Sequence, residues 1–306
     1  MELILSKPEW LKIKINQNEN FSSIRLSLKK HNLNTVCEEA HCPNISECWN
    51  TGTATFMLMG DVCTRGCKFC AVKTGNPKKQ LDKDEPRKLA EALREIKLFD
   101  YVVLTSVNRD DLEDGGASHF AQCIKEIKKY YPGIIVEVLI PDFNGSIESL
   151  KKIVDAAPDV IAHNIETVER LQRYARDARA NYRQSLSVLE NIKKLNPKIY
   201  AKSSIMLGIG ERDEEIVIAM KDLRKIGVDI LTIGQYLRPS SLHIPVNDFV
   251  HPDKFKLYEK KGLELGFKFV ASGPFVRSSY KAGELFVKNI LNQKLKNISK
   301  IHSFNG

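Results

Sequence analysis

The sequence predicts an α/β fold, a partial (β/α)6 barrel of the TIM type with N- and C-terminal extensions covering the barrel. Three observations point there. Short apolar runs rich in Val, Ile, Leu and Phe alternate with segments of helical periodicity. The runs are mostly too apolar to have one wet face, which suits parallel strands buried on both sides. No G-x-G-x-x-G follows the first run, as a dinucleotide-binding doubly wound sheet would require.

The elements follow one another in order. A first strand is predicted at 56–61, opening on Phe56-Met57-Leu58, and a helix at 83–98. Strand 101–107 (Tyr101-Val102-Val103-Leu104) leads to helix 118–130, and strand 134–140 to helix 147–156. Strand 160–165 precedes helix 182–195, strand 201–207 precedes helix 214–226, and strand 230–235 precedes helix 252–265. A last strand is predicted at 267–271. Regular βα alternation implies right-handed crossovers and a parallel sheet. About six strong units are visible rather than eight, so the barrel is expected to be incomplete. The expected organisation is an N-terminal extension at 1–50, a barrel at 51–272 and a C-terminal extension at 273–306.

A chain of 306 residues and 34.7 kDa can bury a barrel-sized core. The net charge of +9, from 47 Lys and Arg against 38 Asp and Glu, falls largely on helix faces such as Lys125, Lys128 and Lys129. Basic and aromatic residues do not interleave as a nucleic-acid stacking platform requires, so nucleic acid is not an expected partner. No apolar run approaches the ~18 residues of a membrane span. The first fourteen residues lack the apolar core of a signal peptide, so the cytoplasm is the expected compartment. In a reducing compartment, seven cysteines, six of them between Cys37 and Cys70, suggest metal or cluster binding rather than disulfides.

Cys63, Cys67 and Cys70 form C-x3-C-x2-C directly after the first strand. In a parallel barrel the loop after a strand opens onto the catalytic face. Three thiolates can hold three irons of a [4Fe–4S] cube and leave the fourth open. An open iron can chelate the amino and carboxylate groups of S-adenosylmethionine (SAM) and pass one electron to its sulfonium. The spacing, with Phe69 before the last cysteine, resembles that of the radical SAM superfamily. A structural zinc site is the alternative, but zinc wants four ligands in paired sets and no fourth is apparent here.

Cys37, Cys42 and Cys48 form a second triplet, C-x4-C-x5-C, and one cube cannot use six thiolates. Near the other end stands Arg277-Ser278-Ser279-Tyr280. With Glu39–Asn44, Glu47-Cys48-Trp49, Thr53–Met57, Cys63-Thr64-Arg65, Thr105-Ser106-Val107, Arg109–Leu112, Gly115-Gly116, His163-Asn164, Glu166-Thr167 and Gly234-Gln235-Tyr236, these motifs closely resemble the lipoyl synthase family. The likeness runs from Lys7–Leu11 to Tyr280; Ser46 and Ser204 stand where glycine would be expected.

The resemblance implies two [4Fe–4S] clusters and SAM. Cys63, Cys67 and Cys70 would hold the radical cluster, and Cys37, Cys42, Cys48 and the hydroxyl oxygen of Ser279 an auxiliary one. An alkoxide is a harder donor than thiolate and a poorer match to cluster iron, so such a corner should be released more easily. The implied reaction inserts sulfur from the auxiliary cluster at C6 and C8 of a protein-bound octanoyl chain. Breaking two inert C–H bonds needs two radicals, hence two SAM per product. The implied partners are octanoylated lipoyl-carrier domains of 2-oxoacid dehydrogenase complexes and the glycine cleavage H protein, with ferredoxin or flavodoxin as electron donor.

Phe69, Thr105, Asn108, Glu137 and Asn164 are the candidate SAM contacts, most of them in or just beyond the C-terminal halves of strands. Lys202 and Arg238 are expected to neutralise the SAM carboxylate, guide the carrier or simply lie on the surface. Gly208-Ile209-Gly210-Glu211 is a possible close approach of backbone to adenine. Cys123 reads as a small buried residue, and His119 and His163 as structural. No His or carboxylate is nominated as an acid–base catalyst.

Overall fold

The computed structural model describes residues 6–12, 18–51, 53–78, 80–96 and 101–279. The chain first forms α1 (Glu19–His31), capped by the Asn18 side chain, which accepts from Phe21 N–H, and closed by Asn32 in the left-handed region. Its apolar stripe of Phe21, Ile24 and Leu28 is buried, with the Phe21 ring 4.9 Å from that of Trp49. The stripe is sparse among Ser, Asn and Lys, and the helix was not predicted. A short β1 (Asn34–Thr35) and the helices α2 (Val36–Glu39) and α3 (Ile45–Asn50) carry the first cysteine triplet.

The barrel begins with β2 (Thr55–Leu58). This strand ends sooner than predicted because Met59 and Gly60 take φ of 67° and 94°. The turn is held from behind, where the Glu85 carboxylate accepts the Met59 N–H at 3.0 Å and bonds His119 Nε2 at 2.6 Å. A two-residue ladder of β3 (Val62–Cys63) and β4 (Lys73–Thr74) then closes the base of the cysteine loop.

The remaining elements alternate as predicted, within a residue or two, except that the strand expected at 160–165 ends at Ala162. They are α4 (Glu85–Ile96), β5 (Tyr101–Ser106), α5 (Ala117–Tyr130), β6 (Ile135–Leu139), α6 (Ile147–Asp155) and β7 (Val160–Ala162). After a short α7 (Gln172–Ala175) come α8 (Tyr182–Leu195), β8 (Tyr200–Leu207), α9 (Asp213–Lys225), β9 (Ile230–Gln235), α10 (Pro252–Glu264) and β10 (Phe269–Gly273). The sheet order is β1-β2-β5-β6-β7-β8-β9-β10. Every pairing from β2 to β10 is parallel, and only β1 runs against its neighbour. The fold is thus a mixed α/β structure around a parallel sheet, a partial barrel of TIM type. Among the described residues β10 and β1 do not pair, so the barrel stays open along that side.

Side chains alternate across each strand. Val102, Leu104, Val136 and Val138 join the large core beneath the helices. Tyr101, Val103, Val160, Tyr200 and Ile230 form a separate apolar floor inside the barrel. Near this floor Lys202 Nζ reaches both oxygens of Glu137 at 2.7 and 2.8 Å, and Tyr101 OH donates to the same carboxylate at 2.5 Å. Lys202 is 1% exposed, which overturns the expected surface role. A buried charge needs such a partner to stay charged.

Candidate functional site

The loop carrying Cys63, Cys67 and Cys70 leaves the C-terminal end of β2 and is clamped by three other parts of the barrel. From the loop after β5, Asn108 donates its N–H to Cys63 Sγ at 3.3 Å and accepts the Thr64 N–H at 3.0 Å. From the end of α7 and the stretch after it, Ala175 O accepts the Lys68 N–H at 2.8 Å, and the Asp177 N–H donates to Cys67 Sγ at 3.4 Å. From the loop after β9, Ile244 N–H donates to Lys68 O at 3.1 Å, while His243 Nε2 lies 3.0 Å from Cys70 O. Backbone amides aimed at sulfur favour thiolate, as a cluster ligand requires.

Arg65 fixes the loop most firmly. Its guanidinium bonds Asp110 and, at 2.7 Å each, Asp142 and Asn144 Oδ1, with only 4% of the residue exposed. Burial opposes its charge, but the bonds to Asp110 and Asp142 outweigh it and hold the arginine charged. Both carboxylates are in turn drawn down by Arg65 against the cost of their burial.

The sulfurs themselves are pushed the other way. Burial holds the Cys67 thiol above its ordinary range and lifts Cys70 to about 12, with the other thiolates of the triplet adding to the shift. Burial likewise raises Cys42 and takes Cys37 to about 11. Such sites hold protons until a cation replaces them. The distances say what kind of cation fits. Among the described residues the His, Cys, Asp and Glu ligand atoms that converge within 4.8 Å are those of Glu85, His119 and Cys123, not those of either cysteine triplet. Four sulfurs on one zinc would sit about 3.8 Å apart, given Zn–S of about 2.3 Å. The triplets are too open for a single ion and suit a larger cluster. The Glu85 group is a core network whose carboxylate is already bonded to Met59 and His119.

The second triplet meets the C-terminal segment. Cys37, Cys42 and Cys48 line one pocket with Thr55, Arg277 and Ser279, although Ser279 stands 231 positions beyond Cys48. Two bonds carry the segment after β10 back to the N-terminal side. Asn44 Nδ2 donates to Phe275 O at 2.7 Å, and Thr55 Oγ1 donates to Ser279 Oγ at 3.0 Å. Gly234 makes room for this crossing, since a Cβ there would meet Val276 O at 2.0 Å. Arg277 lies half-buried beside Cys42. Burial lowers the arginine while the Cys42 charge supports it. Tyr280 lies outside the described residues.

The candidate SAM contacts fare differently. Asn108 and the half-buried Phe69 belong to the cluster loop or its clamp, Asn108 through its backbone. Thr105 donates to Leu139 O at 3.1 Å, so its hydroxyl proton is used across the sheet. Asn164 Oδ1 is buried without a partner, as a residue awaiting a polar ligand would be. Glu137 is not brought to the loop, because Lys202 and Tyr101 occupy its carboxylate near the barrel floor. Arg238 donates to His243 O and Ser241 O at 2.8 Å within its own loop. Glu211 turns back to accept the N–H groups of Gly208, Ile209 and Gly210.

Glu166 was not among the candidates. It has a φ of 67° and bonds Asn164; its charge would bear on Cys67 and Cys70, while burial raises its own pKa. His163 and Arg176 support this corner, with Nδ1 of His163 at 2.9 Å from Ile140 O and Nε2 at 3.0 Å from Ser185 Oγ. Arg176 donates to that same hydroxyl at 2.8 Å.

Comparisons with known proteins agree with this geometry. The radical SAM superfamily model matches residues 57–223, and the model for the N-terminal domain of lipoyl synthase matches residues 3–42. Lipoyl synthase of Halobacterium salinarum is 58% identical over 292 residues, which cover 94% of this chain and 93% of that one. Lipoyl synthase of Anaeromyxobacter dehalogenans is 54% identical over 290 residues, covering 95% and 98%. The apicoplast lipoyl synthase of Plasmodium falciparum is 53% identical over 290 residues, covering 95% and 70%. Among solved structures, methylornithine synthase aligns with a TM-score of 0.53 at 15% identity over 83% of this chain and 71% of its own. The FeFe-hydrogenase maturase HydG from Carboxydothermus hydrogenoformans aligns at 0.53 and 14%, over 90% and 72%. These two likenesses establish the fold alone. With relatives above half identity along almost the whole chain, and a radical SAM domain whose three loop cysteines are clamped at the barrel mouth, the chain belongs to the lipoyl synthase family of sulfur-inserting radical SAM enzymes.

Proposed function

We propose that the chain inserts two sulfur atoms at C6 and C8 of an octanoyl chain amide-linked to a lipoyl-carrier lysine, drawing the sulfur from an auxiliary [4Fe–4S] cluster. The observation that carries this reading is the pocket in which Cys37, Cys42, Cys48 and Ser279 converge from opposite ends of the described chain. Four side chains at one site are the complement of one cube, and the seventh cysteine, Cys123, lies buried in the core with Glu85 and His119 and apart from both triplets.

Cys63, Cys67 and Cys70 would hold a [4Fe–4S] cluster, which with SAM would supply the radical chemistry needed at unactivated carbon. The residues do the rest. Asn108 and Asp177 amides hold Cys63 and Cys67 in place, and Arg65 ties the loop to the barrel. Asn164 Oδ1 and the neighbouring Glu166 offer acceptors for the polar groups of SAM. Thr105, Asn108 and Phe69 are the other SAM contacts in this reading. Arg277 places positive charge beside Cys42, where an anionic cluster would benefit from it. Octanoylated carrier domains of 2-oxoacid dehydrogenase complexes and the glycine cleavage H protein are the partners in this reading, with ferredoxin or flavodoxin as reductant.

The test is anaerobic incubation with SAM, reductant and an octanoyl-lysyl peptide, followed by mass analysis. Lipoyl-lysine should form with wild type and not with Cys42→Ala, which should still cleave SAM. Product from Cys42→Ala, with its auxiliary cluster absent by Mössbauer spectroscopy, would place the sulfur source elsewhere. Ser279→Cys should retain iron yet lose product, because a thiolate corner resists release. Full product from that variant would make Ser279 a turn residue.

A further inference from the structure

Thr55 has one hydroxyl proton and two of the auxiliary ligand side chains within its reach. Its Oγ1 lies 3.0 Å from Ser279 Oγ. The same hydroxyl, together with the Thr55 backbone N–H, is also placed to donate to Cys37 Sγ. The residue is 3% exposed on β2, so its own hydroxyl has little access to water. A threonine hydroxyl can donate to only one acceptor at a time. We propose that Thr55 is a positioning residue that keeps the serine corner of the auxiliary cluster exchangeable, by donating to Ser279 Oγ while that oxygen is on iron and turning to Cys37 Sγ when it is not. The inference rests on the reading of Ser279 as the fourth ligand.

The direction follows from the acceptors. An iron-bound alkoxide is the stronger acceptor and takes the proton while Ser279 is bound. The electron density it gives to that hydrogen bond is withdrawn from the bond to iron, which weakens the corner. When the Fe–O bond breaks, the Ser279 oxygen keeps the bonding pair and takes a proton from solvent at this partly exposed position, and the resulting hydroxyl needs an acceptor. Thr55 Oγ1 supplies one at 3.0 Å, so the freed group is not left unsatisfied. The Thr55 proton is then available to Cys37. Hydrogen bonds to cluster ligands also raise reduction potential.

The test uses anaerobic holoenzyme with SAM present to cover the open iron of the other cluster. Iron loss from the auxiliary cluster to a chelator is followed by Mössbauer spectroscopy. Thr55→Val, which lacks the hydroxyl, should lose iron about tenfold more slowly than wild type, the effect of one charge-assisted hydrogen bond. Its auxiliary reduction potential should be more negative, and Thr55→Ser should restore both properties. Loss at the wild-type rate or faster would overturn the proposal, as would failure of Thr55→Val to assemble an auxiliary cluster that Thr55→Ser assembles. Should Val not fold at 55, Thr55→Ala is read in its place by the same criteria. In a Ser279→Cys background the Thr55→Val change should no longer slow iron loss; equal slowing there would assign the effect to Cys37 and overturn the role at Ser279. Ser279→Ala separates this from the underlying reading, since an unchanged auxiliary spectrum in that variant would remove Ser279 from the cluster whatever Thr55 does.

Discussion

Gly234 and Val276 occupy a contact that admits no side chain at position 234, because a Cβ there would lie 2.0 Å from the Val276 carbonyl oxygen and 3.0 Å from its carbon. Both are backbone atoms of the segment that delivers Arg277 and Ser279 to the cysteine pocket. Flexible side-chain ends can give way to such a clash, but backbone must move. Gly234→Ala should therefore displace Ser279 and leave the loop of Cys63, Cys67 and Cys70 alone. Sulfur insertion should fall about 10²-fold, the scale of a displacement near 1 Å at a reacting centre. Release of 5′-deoxyadenosine from SAM should stay near wild type. Equal loss of both activities would show that the glycine serves the whole barrel and not the crossing.

Cys67→Ala should abolish reductive SAM cleavage, since the cube at the barrel mouth loses one of three ligands. The Asp177 N–H that donates to Cys67 Sγ would also lose its acceptor. Release of 5′-deoxyadenosine by this variant at the wild-type rate would remove Cys67 from the radical cluster.

The barrel was legible in the sequence because each parallel strand is buried on both faces and reads as an unbroken apolar run. Tyr101-Val102-Val103-Leu104 is the clearest case, with two residues on the floor and two under the helices. Helix α1 was missed because Phe21, Ile24 and Leu28 make a thin stripe whose value depends on Trp49, a contact that periodicity does not encode. The cysteine spacings and the serine motif gave the two proposed ligand groups. Their joining could not be read from spacing, since it depends on Asn44 reaching Phe275 O and on the space left by Gly234. The partners of Glu137 were hidden for a related reason. Position along a strand does not say whether a carboxylate faces an open mouth or a partner such as Lys202 on a strand two places away. Glu166 had no periodic or spacing signal of its own, and its left-handed backbone is visible only in the fold.

Arg65 should prove as important to the fold as to the loop it belongs to. Arg65→Gln removes the positive charge from between Asp110 and Asp142, of which Asp142 is 2% exposed. Breaking a buried pair on one side costs about 3–5 kcal/mol. Chemical denaturation should register that loss in protein without iron, where clusters cannot compensate. Arg65→Lys should recover only part of it, because an ammonium cannot bond Asp110, Asp142 and Asn144 together as the planar fork does. Full stability in Arg65→Gln would mean that Asp110 and Asp142 find other partners.

His163 gives the fold a dependence on mild acid. Burial lowers its pKa from 6.5 to about 4, and the positive charge of Arg176 pushes in the same direction. Asp142 opposes the shift and Arg65 adds to it. The ring is therefore neutral in the folded protein, with Nδ1 donating to Ile140 O and Nε2 accepting from Ser185 Oγ. In the unfolded chain the imidazole takes up a proton near pH 6.5, while the folded one resists until about pH 4. Between those values the unfolded state holds more protons, so stability falls as pH falls. A shift of this size amounts to roughly 3 kcal/mol, present above pH 6.5 and lost by about pH 4. His163→Asn keeps an amide donor for Ile140 O and cannot titrate. The stability of wild type relative to the variant should therefore fall by roughly 3 kcal/mol between pH 7 and pH 4. Subtracting the two curves cancels the carboxylates that also titrate in this range. A difference that stays constant from pH 7 to 4 would show that His163 is not held neutral by its surroundings.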